Sequence, residues 1–131
     1  EANGDLSSVA LTQSLLRGEL NIYSGNDDQI VPILSLGGKG VISVLSNIMP
    51  AATSEMCKKY FSGKTAEACR MQLDFLPLIN TLFCEVNPIP AKAACAAMGF
   101  CENYLRLPLT PMEDAHKAKL LSLMREQGLK V

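Results

Sequence analysis

The chain has 131 residues, 48% of them hydrophobic, with a formal net charge of −1 and a pI near 5.8. That length and apolar content suit one domain with a sizeable core. The balanced charge offers no electrostatic footprint for nucleic acid or an anionic membrane surface, and no apolar run approaches the ~20 residues needed to span a bilayer. The N-terminal stretch EANGDLSS has neither the basic nor the apolar region of a signal peptide. It also lacks an initiator Met, so a chain cut from a longer one is expected.

In chain order, Asp5 is a good N-cap for a first helix over residues 6–17. Its Leu6, Val9, Ala10, Gln13 and Leu16 follow the 3.6 period, and Gly18 closes it. Residues 21–47, NIYSGNDDQIVPILSLGGKGVISVLSN, then read as strand, loop, short helix, glycine turn and strand. Residues 21–24 and 40–45 are short apolar runs rich in Ile, Val and Tyr, as expected of strands buried on both faces. Between them Asp27 or Asp28 can cap a helix whose apolar body is residues 30–36. Pro32 falls near its first turn, and Gly37-Gly38 supplies the positive φ that ends it. The unit is βαβ, which predicts parallel strands with a right-handed crossover. Ligands of such sheets meet the loops at the carboxyl ends of the strands, here residues 24–28 and 45–47.

Pro50 suits the first position of the next helix and Gly63 its C′ position, with Lys58 and Lys59 towards the negative end. Beyond Gly63 the strand pattern stops. Thr65 opens a long helix whose Ala68, Met71, Phe75, Leu78, Ile79 and Leu82 form one stripe, with a kink expected at Pro77. The breaker NPIP starts a short alanine-rich helix, AKAACAAM, that another helix can approach closely. Thr110-Pro111-Met112-Glu113 reads as a capping box for a last helix to about Gln127. An α/β segment, residues 1–63, is thus followed by a three-helix extension, residues 64–131.

Local chemistry is sparse. The five cysteines form no CxxC pair, and with the single His116 they offer no zinc-ligand spacing, so free thiols and no metal are expected. Asp27 and Asp28 sit where a ligand would, although a capping role accounts for one of them. His116 reads as a solvated residue on the polar side of the last helix. Lys39 precedes a strand and so lies at the amino end of the sheet, a poor place for a Schiff base. Lys92, one turn into its helix, is placed to pair with Glu85 or to cover apolar surface. No nucleophile–base pair, phosphate loop or metal cluster is visible.

The order of longer motifs is more informative. IYSGNDD, GGKGVISVLSN, NPIPAKAA and RLPLTP, in this order and at these separations, closely resemble the C-terminal half of the dihydrodipicolinate synthase branch of the N-acetylneuraminate lyase family. The resemblance covers essentially the whole chain. It implies an α/β fold: the C-terminal part of a (β/α)8 TIM barrel, strands seven and eight with their flanking helices, followed by the helical extension. It also implies class I aldolase chemistry without a cofactor. Pyruvate forms a Schiff base with a lysine, and the enamine condenses with aspartate semialdehyde in the synthase branch.

The same resemblance places the catalytic lysine outside this sequence, because EANGD is similar to the residues that directly follow it. The family's tyrosine and threonine proton relay also lies upstream. No catalytic residue is therefore assigned here. The resemblance carries over only a substrate-binding set: the backbone at Gly25 and Ile42, with Asp27 close behind. Asn26 stands where relatives often have aspartate, which leaves that position's role open. The family further implies a cytoplasmic homo-oligomer. Two other readings are another pyruvate-dependent aldolase of the family, or a non-catalytic half-barrel that acts only by association through its open sheet edges.

Overall fold

In the computed structural model, residues 1–2 and 4–131 are described. They form two compact units, Glu1–Asp74 and Phe75–Val131. Six α-helices follow in order: α1 Leu6–Leu16, α2 Ile30–Ser35, α3 Pro50–Phe61, α4 Thr65–Leu82, α5 Ile89–Ala97 and α6 Asp114–Glu126.

The first unit is built on three parallel backbone segments. Ser24 bridges Ala2 on one side and Val41 on the other, both parallel. The amide of Ala2 donates to Tyr23 O at 2.8 Å and that of Gly25 to Ala2 O at 2.7 Å. On the other side Ser24 N donates to Gly40 O at 2.9 Å and Ile42 N to Ser24 O at 2.8 Å. The expected parallel pairing is present, but among the described residues it amounts to isolated bridges rather than full strands. The second run in particular does not continue through residue 45. Val44 turns into the right-handed helical region and Leu45–Asn47 form a 3-10 turn, because the amides of Val44 and Leu45 point to a carboxylate instead of a neighbouring strand.

Helix α1 starts as its sequence dictates, with Asp5 accepting from Ser7 N, and ends with Arg17 in the left-handed region. Of its expected stripe only Val9 is buried, packing with Ile22 and Ile33. Helix α2 ends in a Schellman arrangement: Gly37, at φ 92°, donates to Leu34 O at 3.0 Å, and Gly38 donates to Ile33 O at 2.9 Å. A side chain on Gly38 would meet the Ile33 carbonyl oxygen at 2.7 Å, so this turn admits only glycine there.

The start of α2 departs from expectation. Neither Asp27 nor Asp28 caps it; no side chain caps it at Gln29. Gln72 of α4 does so from a distance, its Oε1 accepting from Val31 N at 3.2 Å while its Nε2 donates to Asp27 O at 2.8 Å. Gln72 is 6% exposed and, with Thr81, one of the buried polar residues of α4. Gln72 thereby ties α4 to both α2 and the Asp27 turn. Lys59 of α3 also donates to Glu67 of α4. That bond holds the Glu67 carboxyl below the usual range. Its contribution is present above the ordinary carboxylate pKa and is lost as pH falls through the lowered one.

In the second unit, Leu78, Ile79 and Leu82 of α4 are buried, as are Ala93 and Ala94 of α5 and Leu120 and Met124 of α6. The small residues of α5 let α6 pack against it. The capping box does not form. Helix α6 begins at Asp114, with no side-chain cap on its Glu113 end, and Glu113 N donates instead to Glu85 Oε1 at 3.1 Å. The last helix ends at Glu126, with Gly128 at φ 76° beyond it.

Gln72→Leu keeps the volume of the side chain but removes both partners, orphaning a buried amide and a buried carbonyl. At about 1–3 kcal/mol for each group left unsatisfied, a loss of about 2–5 kcal/mol is expected. It should appear as a lower urea midpoint with an unchanged slope.

Candidate functional site

Two loops leave the same end of the parallel segments, as the βαβ reading requires. The first, residues 24–28, is shaped by Ser24, which is fully buried. Its hydroxyl donates to Asn26 O at 2.8 Å and accepts from Asn26 N at 3.2 Å, folding the chain sharply back. Gly25 lies against the first backbone segment. A Cβ there would meet Ala2 O at 3.0 Å and would displace the Glu1 side chain, so glycine fits this close approach best. Asn26 N-caps the 3-10 turn Asp27–Gln29 by backbone alone.

The second loop, residues 42–47, is held by its own hydroxyls. Ser43 Oγ accepts from Ser46 N at 2.9 Å, and Ser46 Oγ donates to Ser43 O at 2.8 Å. Asp27 joins the two loops. It is 1% exposed, and its Oδ2 accepts from Val44 N at 2.8 Å and Leu45 N at 2.9 Å. The carboxylate therefore caps the 3-10 turn Leu45–Asn47, at the positive end of its amides, rather than the helix that follows Asp27 in sequence. Its own carbonyl is held by Gln72.

Main-chain pairing places Gly25 and Ile42 at the same end of the parallel segments, and the Asp27 carboxylate joins their loops. The amides of Gly25 and Ile42 are committed to Ala2 O and Ser24 O, so the carbonyl is the backbone group each can turn to a ligand. The Ile42 side chain is 57% exposed. Asp27 faces the second loop through the amides of Val44 and Leu45. Asp28 is exposed at the surface of its turn. Lys39 is also exposed and lies ahead of Gly40, at the amino end of the pairing; its amide donates to Ile22 O at 2.7 Å. Lys92 belongs to α5 in the second unit, where Glu85 is engaged by His116 Nδ1 at 2.7 Å. His116 is thus in a defined contact, not simply solvated.

None of the five cysteines is in a disulfide. Burial pushes the thiols of Cys57, Cys84 and Cys95 up, with the nearby Glu85 adding to the effect at Cys84. Such thiols are poor nucleophiles at neutral pH. Two residues essential to these arrangements had no local signature. Gln72 shows only as a polar interruption of an apolar stripe. Glu85 meets His116 across 31 residues of sequence, a separation that no motif spans.

Removing the Asp27 carboxylate should be costly. Asp27→Ala leaves the amides of Val44 and Leu45 without an acceptor, and each hydrogen bond to a charged group is worth about 1.5–3 kcal/mol. A loss of about 3–5 kcal/mol by urea denaturation is expected, less for Asp27→Asn, and within about 0.5 kcal/mol for the exposed Asp28→Ala.

A profile of the dihydrodipicolinate synthetase family matches residues 1–127. The 4-hydroxy-tetrahydrodipicolinate synthase of Alkaliphilus oremlandii is 49% identical over 129 residues, 98% of this chain and 44% of its own. A solved dihydrodipicolinate synthase from Thermotoga maritima superposes with a TM-score of 0.94 at 42% identity, over 98% of this chain and 45% of that one. The Acinetobacter baumannii enzyme, solved in complex with pyruvate, matches with a TM-score of 0.92 at 35% identity, over 98% of this chain and 44% of that one. These solved neighbours are TIM barrels, and the chain spans less than half the length of the relatives it matches. With the motifs, the paired parallel segments and nearly every residue aligned, the chain belongs to the dihydrodipicolinate synthetase family.

Proposed function

We propose that this chain is the C-terminal part of a (β/α)8 aldolase that condenses pyruvate with aspartate semialdehyde, a step of lysine and diaminopimelate biosynthesis. The observation that supports it best is the Asp27 clamp. It holds two loops together at the carboxyl ends of parallel segments, where barrel enzymes keep their substrates. The pyruvate bound in the Acinetobacter relative supports pyruvate as the first substrate.

In this reading the Schiff-base lysine immediately precedes Glu1 in the longer protein, at the end of the strand that Ala2 continues. Its amine adds to the pyruvate ketone and water leaves, giving a protonated imine. That imine draws electrons from the methyl carbon, a methyl proton departs, and the enamine forms a carbon–carbon bond to the aldehyde. The proton relay also lies upstream. The carbonyls of Gly25 and Ile42 line the pocket beside the imine, and Asp27 acts behind them by fixing the distance between their loops. The protein is read as cytoplasmic and homo-oligomeric.

The surface of the first unit favours association. Tyr23 is 40% exposed and Ile42 57% exposed, although both belong to runs expected to be buried on both faces. Covering such side chains is worth about 1.5–3 kcal/mol each when complete. In this reading the earlier strands of the barrel cover them.

Two measurements test the assignment. Pyruvate with borohydride should leave the 131-residue chain unmodified and should label the longer protein on one lysine before Glu1. Label on Lys39 or Lys92 of the short chain would move the nucleophile and sink the assignment. Sedimentation equilibrium at micromolar concentration should find the short chain self-associated through its uncovered edges. A strictly monomeric species with a cooperative melt would show that the unit closes its own edges.

A further inference from the structure

The second unit holds a group of side chains that the proposed aldol chemistry does not use. The Sγ of Cys84, a carboxylate oxygen of Glu85 and Nδ1 of His116 all lie within 4.8 Å of one another. Cys84 and Glu85 follow the end of α4, where the chain has left helical geometry, and His116 is in the first turn of α6. Glu85 is the hub. Its Oε1 receives His116 Nδ1 at 2.7 Å and Glu113 N at 3.1 Å, and its side chain is only 17% exposed. Glu113 adds a fourth donor at the rim, its Oε2 lying 3.7 Å from His116 Nδ1.

The chemistry of this set is specific. One thiol, one imidazole and carboxylate oxygens are the mixed sulfur, nitrogen and oxygen donors that zinc-like ions take, whereas calcium and magnesium call for oxygen alone. Metal–ligand bonds of about 2.0–2.3 Å in a tetrahedron put donors roughly 3.3–3.8 Å apart, so the group needs only a small adjustment: Nδ1 and Oε1 separate slightly and Sγ draws in. The carboxylates of Glu85 and Glu113 act on the thiol against Lys119, a local charge balance that suits a cation. The ordinary alternative is that Glu85 merely receives two donors at the start of α6. That role accounts for Glu85 and His116 but leaves the thiol beside them unexplained.

We propose that Cys84, Glu85 and His116 form a binding site for a zinc-like divalent cation, with Glu113 or a water molecule completing four ligands. Binding replaces the hydrogen bond between His116 and Glu85. The thiol proton is released to solvent, and His116 binds as neutral imidazole through Nδ1 with its proton on Nε2. The site ties the end of α4 to the start of α6 and is separate from the loops of the first unit, so it stands or falls independently of the aldolase reading.

Cobalt(II) is the probe. Titrated into the reduced 131-residue chain, it should saturate at one ion per chain, with a thiolate-to-cobalt band in the near ultraviolet and tetrahedral bands in the visible. Zinc should displace it. Cys84→Ser and His116→Ala should each weaken binding at least about tenfold, and Cys101→Ser should leave it unchanged. Far-UV circular dichroism checks that the variants fold. A second readout needs no variant: zinc should slow alkylation of Cys84, followed by peptide mass, while Cys101 reacts at its former rate. No saturable cobalt band, a band that survives Cys84→Ser, or unprotected Cys84 in the presence of zinc would each overturn the proposal.

Discussion

The first unit depends on a buried carboxylate that serves a distant turn. Taking an aspartate out of water costs several kcal/mol unless its charge is compensated. Here compensation comes from two backbone amides, Val44 and Leu45, at the start of a 3-10 turn. Charge-assisted bonds of this kind are the stronger ones. They set three things at once: where the segment through Val41 stops, how the second loop turns, and how far that loop lies from Gly25. Gln72 fixes the opposite end of the same residue through its carbonyl. A shift of Asp27 would thus be felt in α2, in α4 and in the loop after Ile42 together.

A second constraint follows from the pairing. Ser24 has neighbours on both sides, Ala2 and Val41, and is the middle of a three-segment parallel arrangement. Parallel sheets are covered on both faces where they occur, and the exposure of Tyr23 and Ile42 departs from that rule. The exposed residues Leu11 and Leu15 of α1 belong to the same pattern. The relatives carry more than half of their length outside the matched region. The clamp and the serine turns lie wholly within residues 24–47.

The second unit uses the same device with different chemistry. Glu85 supplies from a distance the acceptor that the sequence around Thr110 was expected to provide locally. With Glu113 N held by Glu85, the helix starts at Asp114, three residues beyond Pro111. His116 then faces the carboxylate that caps its helix.

Much of this protein was determined by sequence alone. Asp5, Gly37-Gly38, Pro50 and Gly63 mark helix ends because capping and positive φ are properties of one or a few adjacent residues. The stripe Ala68, Phe75, Leu78, Ile79 and Leu82 marks a buried helix face because periodicity is local too. The order of the long motifs carried the family, and with it the neighbourhood of Gly25, Asp27 and Ile42. Tertiary structure alone decided which acceptor meets which donor. Asp27 stands just before one helix and serves the turn after another segment. Gln72 caps a helix through Val31 N, 41 residues earlier in the chain. Glu85 gathers Glu113 and His116 while Cys84 stands beside it. A hydrogen bond depends on distance and direction in space, and two residues far apart in the chain acquire both only when the backbone between them has folded.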